Sequence, residues 1–248
     1  CSLVRDQLGL TPKPAMTAPP VVHDQPRSAP LQPGDNVIVK AVDRVGPAVV
    51  RIDVVKEISN PFGGIFGMGP SSQRQQGQGS GFITRASGLI FTNEHVVRGA
   101  DQVAVTLPDG RNFKGKVLGT DPLTDVAVVK VVADNLPVAA LGNSDQLKPG
   151  EWAIAIGNPF GFGHSVSLGI VSGLERYGLQ LSAYENYIQT DATIHLGSSG
   201  GALIDAEGKL VGINTLIYTG ANDDSNEASG IGINLATPSN VVATVMKD

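Results

Sequence analysis

The chain has 248 residues, 41% hydrophobic and 17% charged, enough apolar content for one large β domain or two small ones. Its net charge of −5 offers no basic footprint for nucleic acid, and no run of about 18 apolar residues is present to span a membrane. The single cysteine, Cys1, excludes an internal disulfide and a cysteine-based zinc site, while 31 glycines suit tight turns better than long helices.

Residues 1–33 carry seven of the prolines and little hydrophobic periodicity, so they read as an extended or disordered tether. With no initiator methionine and no signal-peptide pattern, the chain reads as a mature or trimmed product. Cys1 is then either a lipid-anchor cysteine or an accident of trimming. Order is expected from Gly34. Asp35 is placed to cap a helix from Asn36 to about Val45, stopped by Gly46-Pro47, with Val37, Ala41 and Val45 on one apolar face. Residues 48–55 alternate and are β-branched, which predicts a strand. The glycine-rich segment up to Gln78 follows, with Phe62, Ile65 and Phe66 near its tip. It is too long for a hairpin turn and reads as a mobile, functional loop.

Short strands are predicted at 80–84, 89–93, 103–107, 113–119 and 126–131. A second set is predicted at 152–156, 166–172, 187–190, 202–205, 210–218 and 230–235. Turn residues such as Ser87-Gly88 and Pro108-Asp109-Gly110 separate them, so the pattern means antiparallel β, a sandwich or barrels. The stretch 136–150 divides the strands into two similar sets, which suits two small barrels at about 46–135 and 150–236. Thr237-Pro238 predicts a last helix over 238–248, and its end in mid-pattern reads as a domain boundary.

Chemistry concentrates at Gly197-Ser198-Ser199-Gly200-Gly201. Glycines around a serine let the backbone turn successive N–H groups towards one point. Ser199 is thus a candidate nucleophile, with the amides of Gly197 and Ser199 as candidate oxyanion donors. An ordinary Gly/Ser turn is the plainer reading unless a base and a carboxylate are also present. Of the four histidines, His23 lies in the tail, His164 in a glycine-rich loop, and His195 in the loop before Ser199. His95 alone follows a predicted strand and precedes Val96-Val97, where its ring can hold a fixed orientation. Asp121 begins a proline turn and should bond its own backbone. Asp125 precedes an apolar strand, is the more buried acid, and must be paired. A carboxylate accepting from one imidazole nitrogen frees the other to take a proton from serine, so Asp125 is the better partner.

The resulting order His95, Asp125, Ser199 is that of chymotrypsin-like proteases. Gly79-Ser80-Gly81-Phe82-Ile83, residues 92–97, 121–130 and 155–159, Gln189-Thr190-Asp191-Ala192, Gly197 to Gly201 and Val211 to Thr215 together resemble the HtrA/Deg serine proteases. The similarity covers about residues 36–248 and is strongest to the cyanobacterial and chloroplast Deg branch. It implies an all-β fold, two six-stranded chymotrypsin-like barrels with short terminal helices and the triad in the cleft between them. It implies an ATP-independent endopeptidase for unfolded or damaged proteins, without cofactor or metal, acting in protein quality control. Small aliphatic residues are expected before the cut, in a pocket lined by Ile194, Leu196, Ile213, Leu216 and Ile217. It further implies a homotrimer or trimer-based assembly in an extracytoplasmic space, the periplasm or thylakoid lumen, with activity switched by loop ordering, loop 57–78 reaching other subunits or the active sites and loop 215–230 lining the specificity pocket. The family usually has Asn-Pro where this chain has His195-Leu196, Asn at Ser198, Pro at Ala202, and a PDZ domain after the last helix. The alternative reading is a catalytically weak, chaperone-like or binding scaffold of the same fold. A non-enzymatic β-sandwich would not need these three side chains in this order.

Overall fold

The computed structural model describes residues 36–59, 72–159, 163–179, 184–218 and 232–245, with the side chains at 58–59, 72–73 and 216–218 excepted. The Pro-rich tail, His23 and the apolar loop tip at Phe62, Ile65 and Phe66 lie outside those residues, as do positions 219–231. The opening helix, α1 (Val37–Val45), is capped by Asn36, whose side chain accepts from the Ile38 amide at 2.8 Å. Asn36, not the expected Asp35, is therefore the cap. The buried stripe also differs. Ala41 and Val45 are buried, with Ile38 and Val42 packed beside them, whereas Val37 is 49% exposed. Positions 38, 41, 42 and 45 follow the helical repeat more closely than 37, 41 and 45.

Six strands form the first barrel: β1 (Val49–Ser59), β2 (Ser72–Arg85), β3 (Leu89–Asn93), β4 (Gln102–Thr106), β5 (Asn112–Asp121) and β6 (Val126–Lys130). They close in the antiparallel order β1-β2-β3-β6-β5-β4. The second set is β7 (Trp152–Gly157), β8 (Ser165–Arg176), β9 (Tyr187–Thr190), β10 (Ala202–Ile204), β11 (Leu210–Tyr218) and β12 (Ile233–Pro238). Read from its first strand it runs β7-β8-β9-β12-β11-β10, the same winding, so one topology is used twice. This is the double six-stranded antiparallel barrel that the resemblance implies.

β1 and β2 pair in unbroken register from Val49↔Phe82 to Ser59↔Ser72. Residues 72–78, expected as loop, are thus strand. Their Gln/Ser/Gly composition has poor strand propensity, and cross-strand pairing with β1 overrides it. Pro238 ends β12 instead of opening the last helix, α3 (Ser239–Val245). At the end of a ladder its missing N–H costs no internal hydrogen bond.

Burial explains the two strand patterns. In β7, Ile154 and Ile156 belong to the core shared with the first barrel, while Ala153 and Ala155 face the interior of the second. β10 divides in the same way, with Ala202 and Ile204 on one side and Leu203 on the other. A strand buried on both faces reads as a continuous apolar run. β8 has solvent on one side, so Val166, Leu168 and Ile170 stay exposed between less exposed neighbours. Inside the first barrel Phe82 and Phe91 stack with centroids 6.2 Å apart, both essentially without surface. Such burial contributes roughly 1.5–3 kcal/mol per ring. These cores hold the strand ends that carry the chemistry.

Candidate active site

Strand β3 ends at Asn93, and the chain turns at once into the short helix α2 (Glu94–Val97), whose first turn carries His95. Opposite, Asp125 sits just before β6 with φ +57, a left-handed conformation that aspartate adopts more readily than most residues. The turn lets one residue bond His95 with its carboxylate and the β3 end with its carbonyl. His95 Nδ1 lies 2.8 Å from Asp125 Oδ2, and the His95 amide donates to Oδ1 at 3.0 Å. The Asp125 carbonyl accepts from the Glu94 amide at 3.1 Å and from Asn93 Nδ2 at 3.0 Å. With Nδ1 donating to the carboxylate, Nε2 is left as a proton acceptor. Asp121 takes no part: its oxygens accept from the Leu123 amide at 3.0 Å and Thr124 Oγ1 at 2.7 Å, a closed local turn. Behind His95, buried Glu94 binds Arg98. That hydrogen bond, then the charge of Glu94, raises the pKa of Arg98 above its ordinary value.

The loop that carries Ser199 follows β9. His195 accepts the Ser198 amide at 2.9 Å through its carbonyl, and its side chain is exposed. The Ser198 carbonyl accepts from the Gly201 amide at 2.9 Å, and the Asn214 carbonyl from the Gly200 amide at 2.8 Å. The amides of Gly197 and Ser199 donate to no protein group among the described residues. They are the two amides named from the sequence as candidate oxyanion donors. Gly197 and Gly200 have φ +86 and +85, where a side chain is strained. A Cβ on Gly200 would also stand 2.2 Å from the Ser80 carbonyl oxygen, so the first barrel touches this turn directly. The Ser199 hydroxyl donates to the Thr215 carbonyl at 3.1 Å.

His95, Ser199, Gly197 and Leu196 line one cleft of about 250 Å³, together with Val54, Val96 and residues 75–78 of β2. The first barrel supplies His95 and Asp125, the second Ser199. The residues expected to form the specificity pocket are less united. Leu196 is 72% exposed at the cleft rim, whereas Ile194 and Ile213 are packed in the cores with almost no surface. The side chains of Leu216 and Ile217 are outside the described residues. His164 is half-buried with Nε2 3.3 Å from the Val49 carbonyl, so it is not the open loop residue expected.

A family model for the trypsin-like peptidase domain matches residues 79–213, a span that holds all three of these side chains. The chain belongs to the trypsin-like peptidases. Within them it is of the HtrA/Deg type. HhoB of Synechocystis sp., named as a serine protease, is 46% identical over an alignment of 231 residues that covers 87% of this chain and 54% of HhoB. The periplasmic serine endoprotease DegP of Salmonella typhimurium is 47% identical over an alignment of 189 residues that covers 74% of this chain and 38% of DegP. Among solved structures, the HtrA-type protease AlgW with a decapeptide superposes with a TM-score of 0.72 at 41% identity, covering 85% of this chain and 66% of that one. The chain spans about half the length of the curated relatives it matches.

Sequence reasoning passed over several polar residues that hold the site in this HtrA/Deg chain. Thr215 Oγ1 donates to the Ile213 carbonyl at 2.9 Å and accepts from Asn93 Nδ2 at 3.3 Å, tying the two barrels together beside Ser199. Ser80 does the same a few residues away, its hydroxyl donating to the Gly197 carbonyl at 2.7 Å, while Thr92 Oγ1 holds Ser80 from within the first barrel by donating to its carbonyl at 2.7 Å. The available signal was a polar residue inside or ending an apolar strand. Such a residue is buried only when bonded, so each one marks an interior hydrogen-bond partner.

Proposed function

We propose that this chain is the protease unit of an ATP-independent serine endopeptidase that cleaves unfolded or damaged proteins. The observation that carries the reading is one cleft holding a carboxylate-bound histidine, a serine and two amides without protein partners. In this reading Ser199 Oγ attacks the scissile carbonyl carbon while its proton passes to His95 Nε2. The carbonyl π electrons move onto oxygen, which the Gly197 and Ser199 amides stabilise. Collapse expels the amine, which takes the proton from His95 and leaves an acyl ester on Ser199. Water, deprotonated by His95, then attacks the ester, the acid product leaves and Ser199 is restored. Asp125 keeps the Nδ1–H tautomer and stabilises the imidazolium formed in each half.

Before attack the Ser199 hydroxyl must turn from the Thr215 carbonyl towards His95. Among the described residues no hydrogen bond joins Ser199 to His95, which together with the unusual 195–198 loop favours the weakly active scaffold reading. Labelling by a fluorophosphonate separates the two: rapid, stoichiometric modification of Ser199 supports the enzyme, and an unlabelled folded protein supports the scaffold.

For specificity we propose small aliphatic residues before the cut. A pocket for Lys or Arg needs a buried carboxylate, and residues 194–197 and 213–217 contain none. Two acids further along are engaged elsewhere: Asp191 accepts from the Ile170 amide at 2.7 Å, and Asp205 from the Glu207 and Lys209 amides at 2.9 Å each. Filling an apolar pocket with one methylene more or less is worth about 1–3 kcal/mol, so selection among Val, Ile, Ala and Leu should be modest. Mass spectrometry of casein fragments should show most cuts after these residues. A majority after Lys or Arg would sink the proposal.

The proposed assembly is a homotrimer formed through the first barrel and the segment before it. Val37 and Val39 on α1 are 49% and 45% exposed, and the sequence places Phe62, Ile65 and Phe66 in a loop beyond the described residues. Exposed apolar side chains on α1, and an apolar loop sequence, favour a partner surface. Light scattering should give three times the chain mass at micromolar concentration; the mass of one chain would contradict the assembly. The proposed compartment is extracytoplasmic, periplasm or thylakoid lumen, supported by the periplasmic DegP relative. No described helix is long and apolar enough to cross a membrane.

A further inference from the structure

Ser80 lies in β2 of the first barrel, has no exposed surface, and bonds the second barrel with every polar atom except its carbonyl. Its amide donates to the Ser199 carbonyl at 2.8 Å. Its hydroxyl donates to the Gly197 carbonyl at 2.7 Å and accepts from the Asn158 amide at 2.9 Å. Any residue but proline at this position would supply the amide bond. Only a hydroxyl supplies the bond to Gly197 while also satisfying Asn158.

The nucleophile loop consists of successive rigid peptide units, each with its C=O and N–H on opposite sides. The two units that carry the Gly197 and Ser199 amides have N–H groups without a protein partner. The unit between them carries the Gly197 carbonyl, and the unit after them carries the Ser199 carbonyl. Ser80 holds both of these carbonyls, one through its hydroxyl and one through its amide. The unit between them is also tied by the Ser198 amide, which donates to the His195 carbonyl at 2.9 Å, so the weak point is the unit before Gly197, whose rotation the φ of +86 and the absence of a Cβ leave almost unopposed by sterics. Releasing the Gly197 carbonyl would let the Gly197 N–H turn away from the cleft while Ser199, His95 and Asp125 stayed in place.

We infer that the Ser80 hydroxyl is a positioning residue for the oxyanion hole, holding the Gly197 peptide so that both amides face the cleft. The inference rests on the reading of Ser199 as the nucleophile. It makes a distinct demand, because a positioning defect of this kind weakens the transition state and leaves ground-state binding alone.

The test compares Ser80→Ala with the parent on a fluorogenic peptide that carries valine before the cleaved bond. Losing one oxyanion donor outright costs about 100- to 1,000-fold in kcat, so misaiming one should cost about 10- to 100-fold, with KM changed less than about twofold. Affinity for a peptide boronate should fall by the same factor, since its tetrahedral adduct on Ser199 places an oxygen between the two amides. Binding of the uncleaved peptide, measured with and without Ser80→Ala in a Ser199→Ala background, should not change. Ser80→Cys keeps the shape but donates weakly, so it should lie between parent and Ser80→Ala; it replaces the alanine variant if that fails to fold. Parental kcat and boronate affinity in a folded Ser80 variant, even with a lower Tm, would overturn the inference. So would an increase in KM alone. Activity persisting in Ser199→Ala would instead overturn the underlying nucleophile assignment, whereas an inert Ser199→Ala beside a fully active Ser80→Ala would remove this inference only.

Discussion

Ser199→Ala should lower the rate of casein digestion by roughly four to six powers of ten, because residues that act as one catalytic unit fail together. The alanine removes the atom that forms the acyl ester and spares the loop's backbone scaffold. The Ser199 carbonyl still accepts from the Ser80 amide, and the Gly197 and Ser199 amides remain available. Residual turnover would come from binding and the oxyanion donors acting on water. Among the described residues the one protein hydrogen bond lost is that from Oγ to the Thr215 carbonyl, so the variant should fold and bind substrate like the parent. Casein digestion followed by gel, with circular dichroism to confirm folding, is the measurement. A folded variant that digests at the parental rate would remove Ser199 from the mechanism.

Asp125→Asn should cost about four powers of ten in kcat, and Asp121→Asn no more than a few-fold. Both oxygens of Asp125 accept from His95, one from the backbone amide at 3.0 Å and one from Nδ1 at 2.8 Å. Asparagine has a single acceptor oxygen. If that oxygen keeps the backbone N–H, the amide NH2 faces Nδ1 and makes it an acceptor. The ring proton then sits on Nε2, where it cannot take the proton of Ser199. Turning the amide over restores Nδ1–H but sets NH2 against the His95 N–H. Either way one donor meets another, and the favoured remedy is the wrong tautomer. Asp121→Asn retains one acceptor for the Leu123 amide or the Thr124 hydroxyl and touches neither His95 nor Ser199. Steady-state kinetics on both variants decides between the acids; a greater loss at Asp121 would reverse the assignment.

Much of the molecule follows from local pattern. Alternating Val and Ile in β1, the continuous apolar runs of β7 and β10, and turns such as Ser87-Gly88 specify strands without reference to distant residues, because pleat and side-chain period are local. The choice of Asp125 over Asp121 as the partner of His95 was legible for the same reason. A proline turn ties an acid to its own backbone, and an acid entering an apolar strand must seek a partner elsewhere. Where sequence reasoning failed, the deciding energy was non-local. Residues 72–78 look like loop material, and pairing with β1 makes them strand. Ile213 in β11 and Ile194 in the loop after β9 flank Ser199 in the chain, yet both side chains are drawn into the hydrophobic cores. Leu196, in the turn between them, reaches the cleft. The strand pattern marks Ser80, Thr92 and Thr215 as residues that need a partner but does not say which, since the carbonyl or amide each one bonds comes from another segment. The residue types needed for acyl transfer were therefore written in the sequence. Their convergence in one cleft, and the polar stitches that aim the nucleophile loop, arise only when two barrels of the same winding bury their shared face.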